Sequence, residues 1–243
     1  MRQARSSPTL STLNLLATPV VGVDMKRNTS TRHKKAATTT AGRRGQNVLR
    51  AQHTSSSIVV YQAFSPAIAD AAVDAGTFVA PFSFGRMTWV KPSFLWMMAR
   101  SNWGARRGQE RILAVRMCRF GFFSVLQQSV LTAFDPALHV SHAAWRDAFD
   151  VAAAHVQWDP ERTLRGAKLD DGAIQVGIGR SLIRRYADEW VQGIDDVTAV
   201  VDKMRTLRAR GRHDVAQRLL PRETEVVPST TFEVNALARV TCD

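Results

Sequence analysis

The chain has 243 residues, of which 45% are hydrophobic, 8% aromatic and 22% charged. That is ordinary globular composition, and it excludes a collagen, a disulfide-stapled miniprotein and a wholly disordered chain. No run approaches the ~18–20 uninterrupted apolar residues of a membrane helix, so no bilayer span and no membrane partner are expected. The length admits one full core, and one domain plus a tail is the simplest count.

The net charge of +12 is unevenly placed. Residues 1–50 hold ten Lys/Arg and a single acid, Asp24, which is +9; the rest of the chain is close to balanced at +3. The charge therefore describes the extension more than the body, and is weak ground for a polyanion-binding body. Residues 1–46 are rich in Ser, Thr, Arg and Ala without hydrophobic periodicity, which predicts a disordered basic extension. Three readings of it stay open. It is a plain extension, or an organellar transit peptide carrying Arg2, Arg5 and many hydroxyls. The third is a nuclear signal or polyanion patch around Arg32-His33-Lys34-Lys35 and Arg43-Arg44. The two cysteines, Cys118 and Cys242, form no CxxC, and no His/Cys cluster has metal-ligand spacing. No metal site and no disulfide framework are expected, and the location expected is intracellular: cytoplasmic, or organellar if residues 1–45 are a transit peptide. Cys118, inside an apolar run, reads as a buried small hydrophobe.

In chain order, Ile58-Val59-Val60-Tyr61 is β-branched and aromatic and predicts a strand. Ser65-Pro66 opens a helix that Gly76 ends. Thr77 to Val79 reads as extended, Arg86 to Val90 as a second strand, and Pro92 to about Trp103 as a helix. Ile112 to Val115 is a buried strand, Phe120 to Leu131 a helix, and Ser141 caps a short helix carrying Trp145 and Phe149. His155 to Trp158 is a strand closed by an Asp159-Pro160 turn, and Ile174 to Ile178 is another. Helices over about 181–192, 196–210 and 213–220 follow, and residues 222–243 read as a loose tail. Short strands among helices, with a helical C-terminal third, predict a single α+β domain over 47–221: a mixed short-strand sheet with flanking helices.

Chemistry concentrates between Arg86 and Arg111. Trp96, Arg100 and Trp103 share one helical face at i, i+4 and i+7, which sets a guanidinium between two indoles. The alternative is a core stripe with Arg100 snorkelling at its edge. Lys91 precedes a helix N-terminus, where backbone N–H groups favour an anion. Arg86, Lys91 and Arg100 are thus candidate phosphate ligands, with Trp89 and Trp96 as stacking surfaces. Arg100 lies about 13 Å along the helix from Lys91, a span that suits a dinucleotide or two successive phosphates. Gly177-Ile178-Gly179-Arg180 crosses from strand to helix, but lacks the rest of a dinucleotide or P-loop fingerprint. Gln157 shares a strand face with His155. Asp159, Glu161 and Glu110 are the candidate general bases; the alternative for Asp159 and Glu161 is turn chemistry and a solvated pair with Arg162.

Val48 through Ala69, the run Arg86-Met87-Thr88-Trp89-Val90-Lys91-Pro92-Ser93-Phe94-Leu95-Trp96-Met97-Met98, Gln109-Glu110-Arg111, Val156 to Arg162 and Ile174 to Gly177 occur in an order that resembles domain-of-unknown-function family 4291. The resemblance covers about residues 47–221. His53-Thr54-Ser55-Ser56-Ser57 stands where that family usually has acidic residues, and the basic extension lies outside its pattern. The family carries no established reaction, so it implies no substrate and no cofactor. The strand, Ser-Pro helix and Gly of residues 61–76 are also faintly similar to the opening of ADP-ribosyltransferase-like folds, an analogy of element order alone.

Two functions follow as expectations. The first is an enzyme that holds a phosphate-bearing substrate, such as a nucleotide, NAD or a nucleic-acid end, in an Arg/Lys/Trp-lined cleft. The alternative is a non-catalytic RNA- or DNA-binding module using the same residues. A buried carboxylate facing the cations favours the enzyme; a broad, open basic face without one favours the binder. Deleting residues 1–44 is expected to leave the thermal midpoint nearly unchanged, because the segment offers no apolar face. A fall of many degrees in a melting curve would show that it packs on the body.

Overall fold

The computed structural model describes residues 46–241, so the basic extension before Gln46 and Cys242 lie outside the described residues. The first half contains β1 (Arg50–Ala51), β2 (Ser57–Phe64), α1 (Pro66–Ala75), β3 (Thr88–Val90), α2 (Phe94–Ser101), β4 (Arg111–Cys118) and α3 (Arg119–Gln127). Next come β5 (Ser129–Leu131), α4 (His142–Val151), β6 (Ala154–Arg162), β7 (Lys168–Ile178), α5 (Ile183–Arg185) and a π-turn over Tyr186–Trp190. The chain ends with β8 (Val191–Asp196), α6 (Thr198–Ala209), α7 (His213–Gln217), β9 (Thr224–Glu225) and α8 (Thr231–Ala238). This is the expected α+β class.

Two sheets organise the domain. The β-branched run of β2 pairs antiparallel with β4, and β8 lies along the other edge of β4. The second sheet has the order β3–β7–β6–β5, with β5 parallel to β6 and the other pairs antiparallel. The sheets meet at one bridge, where Tyr61 and Lys91 exchange both backbone hydrogen bonds at 2.7 and 3.1 Å. Strand alternation then sorts the second sheet. Val90, Ile174, Val176, Ile178, Ala154 and Val156 enter the main core. Trp89, Lys91, Gln175, Gly177, Gln157 and Asp159 are left on the opposite face. α3 buries Phe122, Phe123, Val125 and Leu126 against the sheets and is buried nearly all round, as a central helix must be. A smaller core under α2 and α6 gathers Tyr61, Phe94, Met97, Met98, Trp103, Val201 and Met204.

Several sequence expectations change. The helix expected over 120–131 stops at Gln127: Ser129 Oγ donates to the Leu126 carbonyl at 2.7 Å, and Val130 and Leu131 join β6 as β5. Apolar Val-Leu suits either element, and the free edge of β6 decides. No turn forms at Asp159-Pro160. β6 runs on to Arg162, a register shift between Pro160 and Arg162 absorbs the proline, and the hairpin closes around Gly166 at φ 91°. The helix expected over 181–192 shrinks to α5 and the π-turn, and 191–196 become β8. Thr77 to Val79 form no strand. Cys118 is half-buried, and its Sγ accepts the Gly121 N–H at the start of α3.

The tail over 222–241 is not loose. Val226 and Val240 are in the core, and α8 packs on α3. The contact is fixed by Arg119 and Glu233, 5% and 6% exposed, in a two-pronged ion pair with N···O distances of 2.7 and 2.8 Å. Ser229 donates its N–H and hydroxyl to the same carboxylate, and Arg119 also reaches the Val227 carbonyl. Sequence periodicity does not show this, because the pair joins residues 114 positions apart.

Arg119 bonding, opposed by burial, holds the Glu233 carboxyl at about 2, against an ordinary 4.5. A depressed folded pKa stabilises above the unfolded value, so this contribution is complete above pH 4.5 and lost as pH falls towards 2. Arg119→Ala is expected to cost about 3–5 kcal/mol, because it leaves a buried carboxylate unpaired. Arg119→Met with Glu233→Leu should recover much of that in urea unfolding.

Candidate functional site

Where the backbone pairing at Tyr61 and Lys91 ends, the sheets part and leave a cleft of about 500 Å³. β2 lines one side with Gln62, Ala63 and Phe64, and α1 adds Ile68. The other side is the segment from Arg86 to Trp89, with Lys91 and, from the sheet floor, Gln157 and Gln175. Met97, Arg100 and Gln109 close it from α2 and the loop beyond. Gln62 spans the gap between the sheets. Its Nε2 donates to Thr88 Oγ1 at 2.7 Å, and its Oε1 accepts the Tyr186 hydroxyl at 2.6 Å.

Lys91 is the anomaly of the cleft. It is 7% exposed, yet among the described residues its ammonium makes no ion pair and no side-chain hydrogen bond. Burial pulls its pKa down to about 8, and the like charge of Arg100 adds to the fall while Asp159 opposes it. Two cations thus face one cleft, with the nearest opposing carboxylate beyond ion-pair reach. Arg86 and Arg100 are exposed at the rim. Trp89 is half-buried and lies over Gly177: a Cβ there would come within 3.0 Å of the indole and 2.6 Å of Met87 Sδ.

Of the residues singled out from sequence, Arg86, Trp89, Lys91, Arg100 and Gln157 line this one cleft. Asp159 is not itself among the lining residues; it lies behind two of them, accepting from both Gln157 and Gln175. The other candidates are placed elsewhere. Glu110 accepts the Gly108 N–H at 2.7 Å and does not line the cleft. Glu161 accepts the N–H of Arg162 and raises the pKa of Glu223. Trp96 is buried between the guanidinium groups of Arg100 and Arg162, at 6.0 and 5.6 Å from its ring. The expected Trp96–Arg100–Trp103 stack does not form. Asn102 and Trp103 take φ of 50° and 57°, which ends α2 and turns Trp103 under Arg208 instead.

The N-terminus of α2 is not the anion seat that the sequence suggested. Ser93 Oγ accepts the Trp96 N–H, and Glu223 accepts the Phe94 N–H at 2.7 Å. The protein supplies its own carboxyl oxygen there. Burial, with Glu161 nearby, pushes Glu223 up to about 8 against the pull of that N–H and of Arg50. Sequence reading missed Gln62, Gln109 and Gln175. Gln175 was legible in principle, since it falls opposite Gln157 once the hairpin register is known. Among the described residues no group of three His, Cys, Asp or Glu can hold a metal ion, and no helix is long and apolar enough to cross a membrane.

Fold and site together define an α+β domain with a cation-lined cleft at the junction of two sheets. The chain belongs to the family described as domain of unknown function (DUF4291), whose model matches residues 48–226. No curated protein and no solved structure matches the chain.

Lys91 makes a prediction about stability. A buried, uncompensated ammonium destabilises the fold. Its folded pKa lies below the ordinary 10.5, so the penalty is complete below pH 8 and fades as pH rises from 8 to 10.5. Lys91→Met is therefore expected to raise the thermal midpoint at pH 7, with the difference from wild type shrinking by pH 10. A lower midpoint at pH 7 would mean that the ammonium has a partner in the free protein.

Proposed function

We propose that the cleft binds a phosphate-bearing small molecule, such as a nucleotide, NAD or a nucleic-acid end, and that the protein is an enzyme acting on it. The observation that carries this reading is Lys91, 7% exposed as a residue, whose ammonium has no counter-ion among the described residues and which lines one cavity with Arg100. A phosphate between them would relieve both the desolvation and the like-charge repulsion. Arg86 and Arg100 at the rim offer guanidinium forks suited to phosphate oxygens. Trp89 offers a ring on which a planar group can stack.

Asp159 favours an enzyme over a non-catalytic RNA- or DNA-binding module. It is the candidate carboxylate whose charge acts on Lys91, and it bonds two side chains of the lining, Gln157 and Gln175, in a site that is a concave cleft rather than an open basic face. The near-neutral body, +3 over residues 51–243, supports the same choice, because strand binding draws on many phosphate contacts. A ligand of this class suits an intracellular protein.

Thermal-shift measurements with pyrophosphate, mononucleotides, NAD and short oligonucleotides test the proposal. A ligand at 100 times its Kd stabilises by about 2.7 kcal/mol, about 5–10 °C for a domain of this size. The shift is expected for pyrophosphate or a nucleotide and should vanish in Lys91→Met. Affinity should fall as pH rises past 8, where the free Lys91 loses its proton. A shift from oligonucleotides alone, with steep salt dependence, would favour the binding module.

A further inference from the structure

The cleft floor holds an arrangement that phosphate binding does not use. Gln157 on β6 and Gln175 on β7 are direct cross-strand partners, and both line the cleft. Asp159, two residues beyond Gln157, shares their face. Its Oδ1 accepts from Gln157 Nε2 at 2.9 Å and its Oδ2 from Gln175 Nε2 at 2.8 Å. An ionised carboxylate only accepts, so each glutamine must turn its NH₂ group to Asp159 and its carbonyl away. One residue thus fixes two amides in the same sense. Neither glutamine carbonyl oxygen has a hydrogen-bond partner among the described residues. Each amide keeps one acceptor and one further N–H to offer.

The neighbouring rows place these amides beside the other parts of the site. Extending the β3–β7 register by one residue sets Lys91 next to Gln175. One row further along, Trp89 is opposite Gly177 and rests on it. A charge, two oriented amides and a ring therefore share one continuous patch of sheet.

The geometry points to a ligand that carries, besides its phosphate, a planar head with an amide-type edge, read by Gln157 and Gln175. Nucleobases and the carboxamide of nicotinamide both present such an edge, and amide against amide pairs donor with acceptor as base-reading side chains do. Asp159 is a positioning residue, acting through the two glutamines. This inference rests on the phosphate reading of the cleft.

Calorimetric titration of the full chain separates the two. The probes are ribose 5-phosphate, the four common nucleoside monophosphates and nicotinamide mononucleotide. At least one headed compound is expected to bind about tenfold or more tightly than ribose 5-phosphate, the range of one good bidentate contact. Gln157→Leu with Gln175→Leu should erase that advantage and keep ribose 5-phosphate binding. Asp159→Asn, which can now donate, should let one amide reverse and narrow the same ratio. A merely structural role would weaken all the probes alike. Should the double variant fail to fold, Gln157→Leu alone decides, since that position is half-buried. Preference for a nucleoside monophosphate identifies a nucleobase as the head; preference for nicotinamide mononucleotide identifies the carboxamide. Equal binding of every probe, or discrimination that survives the glutamine substitutions, overturns the inference and leaves the phosphate site standing. If no phosphate compound binds, the phosphate reading falls and this inference falls with it.

Discussion

The site depends on a single backbone junction. Tyr61 and Lys91 exchange both of their main-chain hydrogen bonds and tie the edge of one sheet to the edge of the other. A longer ladder would have closed the two sheets into one surface. One bridge holds them together and still lets them part beyond it. The Gln62 side chain then spans the opening to Thr88 and is itself held by the buried Tyr186 hydroxyl. The bridge also confines Lys91. Its backbone is committed to the junction, so its side chain has little choice but to enter the cleft.

That placement sets function against stability. A lysine that is 7% exposed and unpaired is costly in the free protein, and a well-packed apolar side chain would serve the fold better. The rest of the molecule handles its charges differently. Arg119 and Glu233 satisfy one another completely and fasten α8 to the central helix. Arg111 is shared between Asp70 and Asp196. Against these internally balanced groups, Lys91 and Arg100 stand out as a pair whose balance must come from outside the chain.

The same contrast explains which candidate carboxylates matter. Glu110 and Glu161 bond to backbone N–H groups close by in sequence, which is what acids in turns and at strand ends commonly do. Asp159 instead bonds two side chains on two strands. It can do so only because β6 continues through Pro160, where a tight turn would have carried it out of the sheet.

Much of this was legible in the residues themselves. The β-branched run of β2, the Ser65-Pro66 start and Gly76 stop of α1, and the Ser141 cap are local effects, set by side-chain sterics and nearby hydrogen bonds. So were the α+β class and the concentration of cations and indoles between Arg86 and Arg100. Tertiary structure decided the rest, because those choices were energetically close or non-local. Val130 and Leu131 became a strand because β6 had an edge to fill. The Trp96–Arg100–Trp103 stack failed because two left-handed residues ended α2 at Ser101, two residues short of Trp103. Residues 222–241 docked through a partner more than a hundred positions away. Gln175 joined the site through a hairpin register, and a one-residue slip would have turned it into the core. Local sequence determines which side chains are available. Only the pairing of distant strands determines which of them share a face, because that choice is settled by burial summed over the whole sheet.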